Sequence, residues 1–144
     1  MEYRTLPHGD EKIGVIGLGM AGIHQADARE TETMVREALD AGVNVMDFIP
    51  SEASAFEGYL RALSGANRQR AMLQVHIGAE YTTGKYGWTT DAKLAAAEFE
   101  KRLSDLVTDY ADFGFIHCID EDADFDKIMN MFPFHHTLSS IYCL

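Results

Sequence analysis

The chain has 144 residues, of which 47% are hydrophobic and 24% charged, a balance that suits one globular domain and excludes a disordered chain. Twelve Lys plus Arg stand against 23 Asp plus Glu, and the net charge of −11 argues against nucleic acid or an anionic membrane as partner. Two cysteines, Cys118 and Cys143, lack disulfide-framework and metal-type spacing, and no apolar run suits a signal peptide or a bilayer span. The expectation is a cytoplasmic protein with no structural metal.

In chain order, residues 3–16 read as a hairpin: Tyr3 to Leu6, a His8-Gly9-Asp10 turn, then Lys12 to Ile16 as a buried strand. Asp27 and Glu30 have capping-box spacing for a helix over 28–41, with Met34, Val35, Ala38 and Leu39 on one face and Gly42 as its stop. A strand over 43–47 precedes a second helix opened by Ser54 and ended by Gly65, with Phe56, Leu60 and Leu63 facing inward. Strand 71–76 leads into a Gly/Thr-rich loop, 78–90, that holds the single tryptophan, Trp88. Thr90 and Asp91 start a third helix with a buried stripe of Ala95, Phe99, Leu103 and Leu106, and strand 112–117 follows. Asp120, Glu121, Asp122 and Asp124 read as a solvated loop, and the run after Lys127 carries no charge. That ending reads either as a final packed segment or as the start of a helix interrupted at Asp126-Lys127-Ile128-Met129.

Three of these strands end on a titratable residue: Asp47, His76 and His117. In α/β folds the carboxyl ends of the strands share one rim, and that rim carries the chemistry. An acid and two imidazoles there form a candidate active-site lip. Each has a plainer reading, since a histidine ending a strand often only completes a hydrogen bond at a core edge.

Gly17, Gly19 and Gly22 follow a strand and match a dinucleotide fingerprint, in which a helix opens at the third glycine under the pyrophosphate. The acidic residue that should close that unit, Asp47, lies 30 positions after Gly17, where about 20 to 25 are usual. Placing the glycines in the first strand's exit loop, with the first helix near Asp27, gives units of ordinary length. A small Rossmann-type module stays open as the alternative.

The stretches Gly17-Leu-Gly19-Met20, Glu37 to Asp47 and Lys101 to His117 resemble the amino-terminal half of the aldo/keto reductase family, over about residues 1–128. The resemblance implies an α/β fold: a partial (β/α)8 TIM barrel of about four strand–helix units, preceded by a β-hairpin. It implies NAD(P)H-dependent carbonyl reduction, with Asp47 and His117 in the aspartate and histidine roles and His76 at the lysine position. Where the family's acid tyrosine is expected stands Glu52; Tyr59 lies seven residues further, in the following helix. The plainer reading of Glu52, a solvated or helix-dipole carboxylate, is favoured over a catalytic one. The first-strand exit, Gly19 and Met20, is implied on the cofactor side, with NADP or NAD bound only loosely. Four strands cannot close an eight-stranded barrel, so the further expectations are a domain inactive by itself, an atypical tail over 129–144, and a homodimer through open sheet edges. A non-catalytic assembly fragment fits the same residues. The substrate expected of a completed barrel is a small carbonyl compound.

Overall fold

The structure is a computed structural model that describes residues 1–7, 9–20, 23, 26–49, 53–80, 86–116 and 120–131. The chain begins with a short antiparallel hairpin, β1 (Tyr3–Thr5) and β2 (Lys12–Gly14), in the register Tyr3↔Gly14, Arg4↔Ile13 and Thr5↔Lys12. Then come β3 (Gly17–Gly19), α1 (Ala28–Asp40), β4 (Val45–Phe48), α2 (Ala53–Ala62) and a 3-10 segment, Gly65–Arg70. They are followed by β5 (Met72–Ile77), β6 (Ala79–Glu80), β7 (Gly87–Trp88), α3 (Ala92–Asp105), β8 (Phe113–Ile116) and α4 (Asp122–Met131). A four-stranded sheet in the order β3-β4-β5-β8, its strands alternating with helices, is the partial barrel expected from sequence. Two compact units divide within β5, Met1–Leu73 and Gln74–Leu144.

In the first unit β3 and β4 run parallel, with Gly17↔Val45, Leu18↔Met46 and Gly19↔Asp47 in register. This corrects two expectations. Lys12 to Ile16 is not a buried strand: β2 stays in the hairpin, and Val15 and Ile16 are 46% and 60% exposed. Gly17 and Gly19 are not exit-loop residues but the first strand of the sheet itself. The amide of Asn44 holds the hairpin against the start of β4, accepting from Gly14 N at 2.8 Å and donating to Lys12 O at 2.8 Å. Tyr3 Oη donates to Gly42 O at 2.8 Å from the same side.

Helix α1 begins where its sequence says it should. Asp27 Oδ1 accepts from Arg29 N and Glu30 N, both at 2.8 Å, and Glu30 Oε2 accepts from Asp27 N at 3.0 Å, so the capping box is complete. Its end is a full Schellman motif: Gly42 N donates to Leu39 O, Val43 N donates to Ala38 O, and Gly42 takes φ +87°. The first helix after β3 among the described residues is α1, beginning at Ala28, which is the unit length of the barrel reading and not that of the dinucleotide module; Gly22 itself lies outside the described residues. Thr31, Val35 and Leu39 form the buried stripe of α1. Against Thr31 lies Gly58 of α2, where a Cβ would come 2.5 Å from Thr31 Cβ and 2.7 Å from Ala28 O. Glycine at 58 is what lets the two helices approach this closely. Arg36 Nη2 on α1 donates to Arg61 O at 2.8 Å, and Arg70 Nη2 donates to Leu39 O at 2.9 Å, so both helix ends gain partners for open carbonyls.

Helix α2 departs from expectation in detail. It starts at Ala53, ends at Ala62 before Gly65, and buries Ala55, Phe56, Tyr59 and Ala62, with Leu63 buried just beyond its end, while Leu60 is only half-buried. The inward stripe is thus rotated toward Tyr59.

In the second unit β5 and β8 are parallel, with Gln74↔Phe113, Val75↔Gly114, His76↔Phe115 and Ile77↔Ile116 in register. The 78–90 stretch is not all loop, because β6 and β7 form a two-residue ladder closed by a Thr89 N to Gly78 O bond of 2.7 Å. Asp91 caps α3 through Leu94 N at 2.9 Å. Ala95, Phe99, Leu103 and Leu106 are all buried, as the periodicity predicts. Beside them Arg102 and Glu98 are buried 3.6 Å apart, with Asp105 3.4 Å from the same guanidinium. The acidic cluster is exposed and only partly a loop: Asp120 and Glu121 precede α4, whereas Asp122 and Asp124 lie in its first turn, where carboxylates complement the helix dipole. The helix expected to be interrupted near Asp126 runs through Met131, and the tail beyond lies outside the described residues.

Candidate active site at the strand ends

Asp47 owes its position to β4. Strand alternation sends Met46 and Phe48 to one face, both almost fully buried, and Asp47 to the other, where it is half-buried. Phe48 meets Phe56 and Tyr59 edge-on, with ring centroids 4.8 and 4.6 Å apart, which fixes the helix-side face of the strand. The opposite face belongs to Asp47 and its register neighbour Gly19. Paired residues on adjacent strands share a face, and a Cβ added to Gly19 would meet no atom of the described residues within 4 Å. The face that carries Asp47 is therefore open at Gly19 among the described residues. Met20, buried to 1% exposure, closes the strand exit by donating its N–H to Asp47 O at 3.2 Å. The structure thus brings Gly19, Met20 and Asp47 together, and it gives Gly19 a strand conformation.

Tyr59 is the residue that sequence reasoning set aside. Its ring is fully buried against Phe48, and burial, with the Asp47 charge as a smaller contribution, pushes its phenol well above the ordinary tyrosine range. Its hydroxyl has no hydrogen-bond partner among the described residues. The ring packs on Phe48, whose side chain lies on the opposite face of β4 from that of Asp47. Counting 55, 59 and 62 alongside 56 and 63 in the helical pattern would have found it.

In the second unit His76 is buried to 7% exposure, one residue before the end of β5. Its ring tilts at 45° to Phe115, its register partner, with centroids 5.1 Å apart, so the two side chains share a face. The β-strand sets the ring's face, and the aromatic neighbour limits its rotation. His117 and Glu52 lie outside the described residues. Among the described residues no group of three or more His, Cys, Asp or Glu is arranged to hold a metal ion, and no helix is long and apolar enough to cross a membrane.

Comparison with known proteins agrees with this architecture. The family model described as the aldo/keto reductase family matches residues 15–134. The chain superposes on the holo form of the aldo-keto reductase AKR11C1 from Bacillus halodurans with a TM-score of 0.78 and 21% identity, covering 98% of this chain and 49% of that one. Two structures of proposed aldo-keto reductases from Pseudomonas aeruginosa give TM-scores of 0.74 and 0.75 at 22% and 20% identity, covering 90% and 96% of this chain and 53% and 57% of theirs. A search of curated proteins finds no match. The chain spans about half the length of the solved structures it matches. With most of its length under the family model and four parallel strands alternating with helices, the chain belongs to the aldo/keto reductase family.

Proposed function

We propose that the chain supplies the first strand–helix units of an NAD(P)H-dependent oxidoreductase that reduces a small carbonyl compound. The observation that carries this reading is the pairing of Asp47 with Gly19, which leaves the face of a carboxylate near the end of a parallel strand open at Gly19 among the described residues. That space suits a flat ring. Gly19 and Met20 would line the nicotinamide end of the cofactor, whose chemistry when bound is to supply a hydride to the carbonyl carbon. The chain's own groups then serve the oxygen, which needs a proton or hydrogen bond as charge develops on it. His76 and His117 are the proposed donors, since an imidazole N–H can hydrogen-bond the oxygen as charge develops on it. Asp47 is proposed for the aspartate role that the family resemblance gives it. Glu52 is a further acid candidate at the position where the family carries tyrosine.

The 144-residue chain by itself is proposed to bind nicotinamide cofactors weakly and to turn over no substrate, because one strand pair supplies only the ring end of such a site. Titration calorimetry with NADPH and NADH tests this directly, and micromolar affinity would overturn it. Catalytic roles are tested by grafting residues 1–131 into a full-length barrel and assaying NADPH-dependent aldehyde reduction. Asp47→Asn, and His76→Ala combined with His117→Ala, are each expected to lower kcat by about 10²-fold or more. Unchanged turnover in both would remove these groups from the chemistry. Gly19→Val should leave the circular dichroism unaltered while weakening cofactor binding in the graft.

A further inference from the structure

The carboxyl-terminal half of α3 and the turn after it enclose a cavity of about 320 Å³, a volume at the lower end of what small-molecule sites occupy. Ala96, Phe99 and Leu103 line it with apolar atoms, spaced three and four residues apart so that they share one face of the helix. Glu100 lines it from the same helix, and Thr108 and Asp109 line it from the turn. That turn leads into the amino end of β8, so the cavity lies at the opposite end of this strand from the carboxyl rim. Phe99 and Leu103 are themselves buried, which makes the apolar lining a fixed part of the core. The Glu100 and Asp109 side chains are exposed, and neither carboxylate has an ion pair or hydrogen bond among the described residues. Two cations of α3 face other acids: Lys101 Nζ meets Asp105 at 2.8 Å, and Arg102 lies 3.6 Å from Glu98 and 3.4 Å from Asp105. Lys93 does not line the cavity.

We propose that this cavity binds a small organic cation, with an ammonium head on the Glu100 and Asp109 carboxylates and an apolar or aromatic body on Phe99 and Leu103. Charge selects the head. Two carboxylates without partners repel an anion, the last turn of α3 presents the negative end of its dipole, and a net charge of −11 gathers cations near the surface. Two carboxylates supply too few oxygens for calcium, and an apolar lining rewards hydrocarbon and not a bare ion. An ion pair in contact with solvent is worth little alone, so head and body must act together. The proposal stands on this end of α3 and is independent of the catalytic assignments.

Heteronuclear NMR of the purified chain titrated with 2-phenylethylammonium chloride is the test, with ethylammonium as the head alone and 2-phenylethanol as the uncharged body. The expected result is saturable shifts centred on amides 96–109, with a dissociation constant of about 1 mM or lower. Ethylammonium should bind at least tenfold more weakly and 2-phenylethanol at least fivefold. Raising NaCl from 50 to 500 mM should weaken the amine at least twofold, because salt screens a solvent-exposed pair. Glu100→Gln with Asp109→Asn, both at exposed positions, should leave far-UV circular dichroism unchanged and raise the dissociation constant at least fivefold. Glu2→Gln with Asp10→Asn, the same change of net charge on exposed side chains outside the cavity, should leave it unaltered. Shifts that do not saturate by about 20 mM amine would overturn the proposal. So would 2-phenylethanol binding as tightly as the amine, or a Glu100 and Asp109 double variant that binds like the parent. None of these outcomes bears on cofactor binding in the grafted barrel, so the two readings fail separately.

Discussion

Val107→Gly should stabilise the protein, an unusual outcome for replacing a hydrophobic residue by glycine. Val107 stands at the C′ position of α3, with φ at +50°, where its N–H donates to Ser104 O at 3.0 Å and Thr108 N donates to Leu103 O at 3.1 Å. This is the Schellman motif that also ends α1, but α1 fills the same position with Gly42. A left-handed backbone costs an L-residue about 1–2 kcal/mol, and a β-branched side chain belongs at the upper end. Glycine gives back about 0.4–1 kcal/mol through the greater freedom of the unfolded chain. The valine side chain is 80% exposed, so the burial lost amounts to only about 0.5 kcal/mol. The net gain is about 0.5 kcal/mol, equivalent to a Tm rise of roughly 1–3 °C for a chain of this size. Gly42→Val is the converse: its Cβ would lie 2.7 Å from Tyr3 Oη and 3.1 Å from Met1 Cβ, adding a clash to the same backbone strain. Thermal denaturation followed at 222 nm compares the three proteins. A Val107→Gly variant that melts below the parent, together with a Gly42→Val variant that melts with it, would refute the assignment of strain to this backbone position.

Two further outcomes follow from buried groups in the first unit. Tyr59 has its phenol raised on folding, so above pH 10 the unfolded chain releases a proton that the folded chain retains; stability should fall by up to about 1.4 kcal/mol per pH unit there. Tyr59→Phe should remove that slope in urea titrations at pH 9 to 11, and at pH 7 should be neutral or mildly stabilising, because it deletes a buried hydroxyl without a hydrogen-bond partner. A slope that survives the substitution would show that another group carries it. Gly58→Ala should destabilise by about 1–3 kcal/mol despite alanine's better helix propensity, because the new methyl meets both Thr31 and the Ala28 carbonyl across the helix pair. An unchanged urea midpoint would mean that α1 and α2 can separate at little cost.

Local chemistry was legible wherever one short stretch of chain decides the outcome. The Asp27–Glu30 box, the Gly42 stop, the Asp91 cap and the stripe from Ala95 to Leu106 depend on neighbours within a few positions, and the fold keeps each of them. Asp47 and His76 near strand ends were readable for the same reason, since an apolar run of fixed period stops beside them. Other features were set by partners far away in sequence. Gly17 to Gly19 has little strand preference of its own and becomes a strand because Val45 to Asp47 offers an aligned row of hydrogen-bonding groups. Lys12 to Ile16 has strong strand preference, yet Val15 and Ile16 stay exposed because Asn44 and Tyr3 hold the hairpin against the residues ahead of β4. Tyr59 rather than Leu60 turns inward because Phe48 presents a ring for it to meet, a contact eleven residues away along the chain. Periodicity and capping act through the nearest few residues and can be read in one dimension, whereas strand pairing and helix rotation minimise exposed surface and open backbone groups over the whole unit, which only the folded chain can weigh.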